Sequence, residues 1–222
     1  MRTIPCIAVD DAGESAFYRI AHKNVVYIGC PLNVVRVLSE CNPDELAIIN
    51  LQDCIPPAIF CFPRHSLRPM SFVGGVKSTD DCRSLFRSGY DRVGLTIKCE
   101  ADIYQLKQMC AFFGGSSMVA HIKLSQETNN FLIQLSSFDS LSEVVLHDVE
   151  RSGRGQGIRA SLVDNLKRQF GAKLNIAISG GYKGEETNTT VYYASRAVFA
   201  DFPQNICGDR VLRNSILISH RP

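Results

Sequence analysis

Three glycine-rich stretches follow short β-branched runs: Gly74-Gly75, Gly153-Arg-Gly-Gln-Gly157 and Ser179-Gly180-Gly181. Backbone amides approach a phosphate most closely where no side chain intervenes, so glycines gathered at one end of a sheet could cradle one. Ala194-Ser195-Arg196 would add a hydroxyl, amides and a guanidinium, and Thr96 and Arg154 fall at comparable strand-end positions. The competing reading is that each glycine merely turns the chain. The Gly-x-Gly-x-Gly stretch is no dinucleotide fingerprint, because no acid follows at the required distance.

Metal chemistry finds no support in the spacing. The nine cysteines include no Cys-x-x-Cys pair, and no two of the five histidines (His22, His65, His121, His147, His220) share metal-ligand spacing. Most of the cysteines are therefore expected to be small core hydrophobes, and no metal or cofactor is expected.

The elements that must position these residues alternate. Predicted strands run over about 4–9, 46–51, 70–73, 93–95, 118–122, 144–147, 174–179 and 191–194, with helices at 31–40, 79–88, 101–113 and 160–170. Eight strands with helices between them predict parallel strands in an α/β fold, and 222 residues suit either one ordinary domain or a single (β/α)8 TIM barrel spanning 1–222. Three connections read as too short, too polar or too rich in proline for a full helix: 54–63, the link between the fifth and sixth strands, and 182–190. Several outer helices are thus expected to be shortened or missing. A net charge of +2 without a block of like charges implies no nucleic acid and no polybasic membrane patch. The absence of a long apolar run or a secretory leader predicts a cytoplasmic protein.

These stretches resemble the cyclase subunit (HisF) family of imidazole glycerol phosphate synthase. The resemblance is carried by Ile4-Pro-Cys-Ile-Ala-Val9, Tyr27-Ile-Gly-Cys-Pro31, Asp44-Glu-Leu46, Phe72-Val-Gly-Gly-Val76, Ser88-Gly-Tyr-Asp-Arg-Val93, Ser179-Gly-Gly181 and Ala194-Ser-Arg-Ala-Val-Phe199, in the family's order. Residues 27–51 look most like the branch associated with amidation of surface-polysaccharide sugars. The resemblance implies a (β/α)8 barrel, a phosphorylated small-molecule ligand, and phosphate contacts from Gly74, Gly75, Thr96, Gly153, Arg154, Ser179, Gly180, Gly181, Ala194 and Ser195.

It also implies a departure at the chemistry. Where the family has catalytic aspartates ending the first and fifth strands, this sequence has Ala8 and Lys123. Alanine moves no proton, and lysine replaces a carboxylate base only with a strongly lowered pKa. Asp10 and Asp11 lie near enough that a register slip would restore an acid, and Asp10 shares a strand face with Ala8. The family's strand-two aspartate at a site-facing position is matched by Asn50, and the Asp-Gly-Thr of its strand-six loop by Ser152-Gly-Arg154.

A second set matches. The family's ring of four charges, which closes the barrel bottom around the ammonia path from a glutaminase, corresponds to Arg2, Glu45, Arg92 and Glu143, with Asp44 and Asp91 beside it near the partner interface. Alternating signs would let each charge find a partner, whereas charges at strand starts can also be simply solvated.

The expectation is a divergent HisF-like subunit of a glutamine-dependent amidotransferase assembly, taking ammonia from a glutaminase (HisH-like), with a separate amidotransferase as a further partner and a polysaccharide sugar as the setting. The alternatives are an active cyclase of histidine biosynthesis, a lyase using Asp10, Asp11 or Lys123, and a non-catalytic scaffold that activates a glutaminase.

Overall fold

The computed structural model describes residues 2–9, 13, 16–20, 24–138, 141–152, 154, 156–183 and 188–193. In chain order the strands are β1 (Thr3–Val9), β2 (Ala16–Ile20), β3 (Asn24–Gly29), β4 (Leu46–Asn50) and β5 (Met70–Val73). They continue with β6 (Arg92–Ile97), β7 (Met118–Lys123), β8 (Glu143–His147), β9 (Ile176–Ser179) and β10 (Thr190–Tyr193). β1 and β4 to β10 are successive parallel neighbours, and β10 pairs back onto β1 through Thr3 with Val191 and Ile4 with Tyr192. Eight strands therefore close a (β/α)8 barrel. Closure removes both sheet edges.

Strand alternation sorts side chains into two cores. Ile7, Leu46, Ile48, Met70, Phe72, Leu95, Ala120 and Leu146 point outward and pack under the helices. Ile4, Cys6, Ala47, Val119, Val145, Ala177 and Tyr192 fill the barrel interior. The interior set is mostly small, which leaves room for the one large ring of Tyr192.

The outer layer contains α1 (Pro31–Glu40), α2 (Thr79–Ser88), α3 (Glu100–Phe113), α4 (Thr128–Leu135) and α5 (Ala160–Phe170). Helix α1 opens on Pro31, whose fixed φ suits a first turn, and buries Val34, Val35 and Leu38. Helix α2 is capped by Ser78, which accepts from the Asp81 amide at 3.1 Å, and ends at Gly89 with φ 109°. Its buried Leu85 contributes about 2 kcal/mol by removal from water. In α5, Val163, Leu166 and Phe170 make the inward stripe.

The prolines at 56, 57 and 63 do prevent an ordinary helix between β4 and β5; a 3₁₀ segment, Pro57–His65, tucks Ile59 and Phe62 into the core instead. Two expectations need correction. The β7–β8 connection carries an eight-residue α-helix, α4, because Thr128, Phe131, Leu132 and Leu135 form an apolar stripe despite the polar flanks. The antiparallel hairpin β2–β3, which pairs onto the end of β1 through Ala8 and Val9, has no counterpart in the strands read from sequence.

The cysteines also differ from expectation. Among the eight described, Cys6 and Cys82 are buried, Cys30, Cys54 and Cys99 are exposed, and the rest are intermediate. Position on the strands and helices, not residue type, decides the matter. Cys207 lies outside the described residues.

Candidate functional site

The N-terminal end of the barrel is closed by charge. Arg2 donates to Glu45 at 3.1 Å and to Glu143 at 2.9 Å. Arg92 donates through Nη2 to both oxygens of Glu45, at 2.8 and 2.7 Å, and through Nη1 to Glu143 at 3.2 Å. The four side chains thus form an unbroken ring, cation to anion all the way round. Glu143 has no exposed surface, Glu45 and Arg92 are buried, and Arg2 alone reaches solvent.

The register explains why the ring assembles. Glu45 directly precedes β4, and Arg92 and Glu143 are the first residues of β6 and β8. Each is two positions before an inward residue (Ala47, Gly94, Val145), so strand alternation turns all three inward.

Three groups that sequence reasoning did not single out complete the floor. The Tyr192 hydroxyl accepts from Arg92 Nη2 at 2.7 Å and donates to Glu143 at 2.8 Å, from a ring that is itself buried. Ser142 accepts from Arg92 at 3.1 Å, and Asn175 donates to Glu143 at 3.4 Å. The inward parity of Tyr192 on the last strand was the signal that could have found it. Burial disfavours the charge on Arg92, but Tyr192, Glu45 and Glu143 outweigh it and hold the guanidinium pKa above its ordinary value. Burial, followed by Glu143, pushes the Tyr192 phenol well up, so the hydroxyl stays a donor.

Above Tyr192 lies His121, whose ring meets it edge to face with centroids 5.7 Å apart. Burial, then the neighbouring His147 and Arg92, lowers the His121 pKa to about 3. The imidazole is neutral at physiological pH. Toward the C-terminal mouth, His147 Nδ1 lies 3.2 Å from Ser179 Oγ, and Lys123, exposed, pairs in register with His147. Histidines dismissed for want of metal spacing are thus neighbours inside the barrel, because β7 and β8 are adjacent; among the described residues they form no metal cluster.

Of the acid positions, Ala8 faces the interior and offers no carboxylate, and Lys123 shares that face. Asn50 corrects an expectation. It pairs with Val9 on the helix-facing side of the sheet, and its amide donates to the Cys54 carbonyl at 2.7 Å, so it shapes a loop and does not face the interior. Asp10, Asp11, Gly153, Ala194 and Ser195 lie outside the described residues.

The described glycines at the C-terminal rim have a steric reason to be glycine. Gly74 and Gly180 both adopt φ +101°, and a Cβ would come within 1.9 Å of the Asn50 carbonyl oxygen and 2.3 Å of that of Asp148. Gly75 and Gly181 also have positive φ and are crowded by Asn50 and by the Gly157 carbonyl. Asp148 is buried, holds Arg159 at 2.6 Å, and receives the Arg151 amide, which fixes the loop after β8. Thr96 and Arg154 are exposed on this side, and Ser179 is half-buried.

At the other end, Asp44 and Asp91 are exposed, and each accepts a backbone amide, from Thr3 at 3.2 Å and from Met70 at 2.8 Å. They tie strand starts together beside the ring. No helix among the described residues is long and apolar enough to cross a membrane.

A closed parallel barrel with glycine-flanked strand ends on one rim and a desolvated ion-pair network across the other defines the chain as a (β/α)8 barrel. The chain belongs to the histidine biosynthesis protein family, whose model matches residues 2–192, and within it is a divergent HisF-like member. It is 22% identical over 189 residues to the provisionally assigned imidazole glycerol phosphate synthase subunit hisF2 of Pseudomonas aeruginosa, covering 74% of each chain. It is 26% identical over 130 residues to the imidazole glycerol phosphate synthase subunit HisF of Halobacterium salinarum, covering 54% of this chain and 48% of that protein. A provisionally assigned hisF2 subunit of Campylobacter jejuni is 20% identical over 200 residues, covering 81% of this chain and 79% of that protein. The chain thus matches about three quarters of some curated relatives and about half of others.

Proposed function

We propose that this chain is the barrel subunit of a glutamine-dependent amidotransferase assembly, admitting ammonia through the Arg2–Glu45–Arg92–Glu143 ring from a glutaminase docked on the N-terminal face. The observation that carries the reading is the closed, desolvated ring: ordinary solvated strand-start charges do not link into a continuous circuit with a fully buried member. Asp44 and Asp91 would border the docking surface. The opposite rim would receive a phosphorylated small molecule against Gly74, Gly75, Thr96, Arg154, Ser179, Gly180 and Gly181, together with Gly153, Ala194 and Ser195. Amidation of a surface-polysaccharide sugar, with a further amidotransferase and in the cytoplasm, is the setting the sequence resemblance favours.

The scaffold reading is favoured by a separate observation. Ala8 supplies no acid, and Tyr192 occupies the interior directly behind the ring, so a chain that only activates a glutaminase would carry the same features. Cyclase activity would require Asp10, Asp11 or Lys123 to replace the absent acids.

The deciding experiment compares Glu143→Gln with the unaltered chain in the presence of the glutaminase that co-purifies with it. Glutamine-driven product formation should fall relative to glutamine hydrolysis, while reaction with added ammonia changes less. An unchanged ratio, or no co-purifying glutaminase, refutes the gate.

A further inference from the structure

The inward face of the barrel is divided in two at its C-terminal end. On β1, β4 and β5 the last inward side chains are Ala8, Ile49 and Val73, an apolar wall. On β6 to β9 they are Thr96, Lys123, His147 and Ser179. The last three form one row, because Lys123 pairs in register with His147 and His147 with Ser179. Neighbouring strands stand about 4.8 Å apart, so the row spans about 10 Å of backbone, with an ammonium at one end, a hydroxyl at the other and an imidazole between. His147 Nδ1 lies 3.2 Å from Ser179 Oγ, which fixes the plane of the ring. Gly180 and Gly181 continue the chain from the hydroxyl end, so the phosphate proposed for the glycine rim would lie at that end.

The lysine end lacks a counter-charge. Lys123 is exposed and, among the described residues, makes no ion pair. No acidic side chain stands on the inward face of the described strands at this end. The acids that follow β8 are engaged elsewhere: Asp148 is buried and lies 2.6 Å from Arg159, and Glu150 holds the same guanidinium at 2.6 Å. Glu127, beyond β7, is the exposed residue at the start of α4. A cation set between an apolar wall and hydrogen-bonding hydroxyl and imidazole groups favours an anion. We infer that Lys123 is a carboxylate-binding pole of the mouth and that the ligand of this barrel is a small phosphorylated acid, its phosphate at the glycine end of the row and its carboxylate at the lysine end.

A carboxylate suits this pole better than a second phosphate. One ammonium matches its single charge, whereas a phosphate monoester carries about −1.5 to −2 at pH 7. Lysine is also a compact point charge on a flexible stem, so it can meet a carboxylate at the rim without a preformed cradle. The glycine amides at the other end supply the cradle that a phosphate uses. Across the barrel, Ala8, Ile49 and Val73 give the carbon skeleton an apolar surface to lie against. The inference rests on the phosphorylated-ligand reading for the glycine end and adds to it the acid at the lysine end.

The test titrates the full chain calorimetrically at pH 7 and constant ionic strength with two probes, 3-phosphoglycerate and glycerol 3-phosphate, which share a carbon chain and a phosphate and differ in a carboxylate against a hydroxymethyl group. The expected result is that 3-phosphoglycerate binds about tenfold tighter or more, the size of one charge-assisted hydrogen-bonded contact. Lys123→Met, which keeps the stem and removes the charge, should bring the two probes within about twofold of each other and leave glycerol 3-phosphate unaffected. Lys123→Asp should reverse the preference. Equal binding of the two probes to the unaltered chain, or a carboxylate preference that survives Lys123→Met, overturns the inference and leaves the phosphate reading standing. So does failure of both probes when inorganic phosphate alone still raises Tm, whereas no response to any of the three overturns both. A preference for 3-phosphoglycerate that depends on Lys123, with no response to inorganic phosphate, supports the carboxylate pole and removes the glycine cradle. The unaltered chain decides against the inference by itself if either variant fails to fold.

Discussion

Replacing Glu143 with alanine removes the most buried member of the ring. Glu143 accepts from Arg2 at 2.9 Å, Arg92 at 3.2 Å, Tyr192 at 2.8 Å and Asn175 at 3.4 Å. The consequences for its partners are unequal. The Arg2 side chain is 34% exposed and can turn into water, but that of Arg92 is 9% exposed and cannot. Arg92 would keep Glu45, while Tyr192 would lose its acceptor. Breaking a buried pair by deleting one partner costs about 3–5 kcal/mol, a large share of the roughly 5–15 kcal/mol that holds a domain together. In a chain of this size that corresponds to a fall of roughly 6–20 °C in Tm. Glu143→Gln keeps an oxygen for Tyr192 and should cost less, about 1–3 kcal/mol. Urea denaturation of the full-length variants, with Arg2→Ala as the milder comparison, measures this directly. A loss below about 1 kcal/mol for Glu143→Ala would match an exposed ion pair and refute the claim that the ring is desolvated.

Acid should act through His121. Its folded pKa, about 3, lies below the unfolded value, so the unfolded chain binds the extra proton between about pH 6.5 and 3. Stability is then full above that window and falls on acidification at up to about 1.4 kcal/mol per pH unit, and His121→Phe should flatten the profile measured by chemical denaturation. Gly180→Ala should destabilise by more than about 2 kcal/mol, since the new Cβ meets the Asp148 carbonyl oxygen at 2.3 Å in a left-handed backbone, whereas Gly114→Ala, with only Ser116 Oγ at 4.0 Å, should cost less; thermal melts compare them. Thiol titration at pH 8 should modify Cys30, Cys54 and Cys99 quickly and leave Cys82 and Cys110 slow, because burial raises those two thiols to about 12 and about 11. If the C-terminal rim binds phosphate, saturating phosphate should raise Tm, and an unchanged melt removes Gly180, Gly181 and Ser179 from the phosphate set.

The barrel was legible in the sequence because its signals are local. Helices α1, α2 and α5 start and stop where proline, a serine cap, glycine and apolar spacing say they should, and β-branched runs mark the barrel strands. The hairpin β2–β3 was not legible, because its pairing to the end of β1 is a long-range contact, and α4 was hidden by polar flanks around a narrow stripe. The four charges could be named from the resemblance, but that they join in one circuit depends on strand register and on barrel closure, which no local pattern contains. The same holds inside the barrel. The sequence fixes that Ser71, Gly94, His121 and Tyr192 are small, absent, aromatic and phenolic side chains. That they share one interior follows only once β10 closes onto β1 and alternation turns all four the same way, because a closed sheet gives distant residues a common inside.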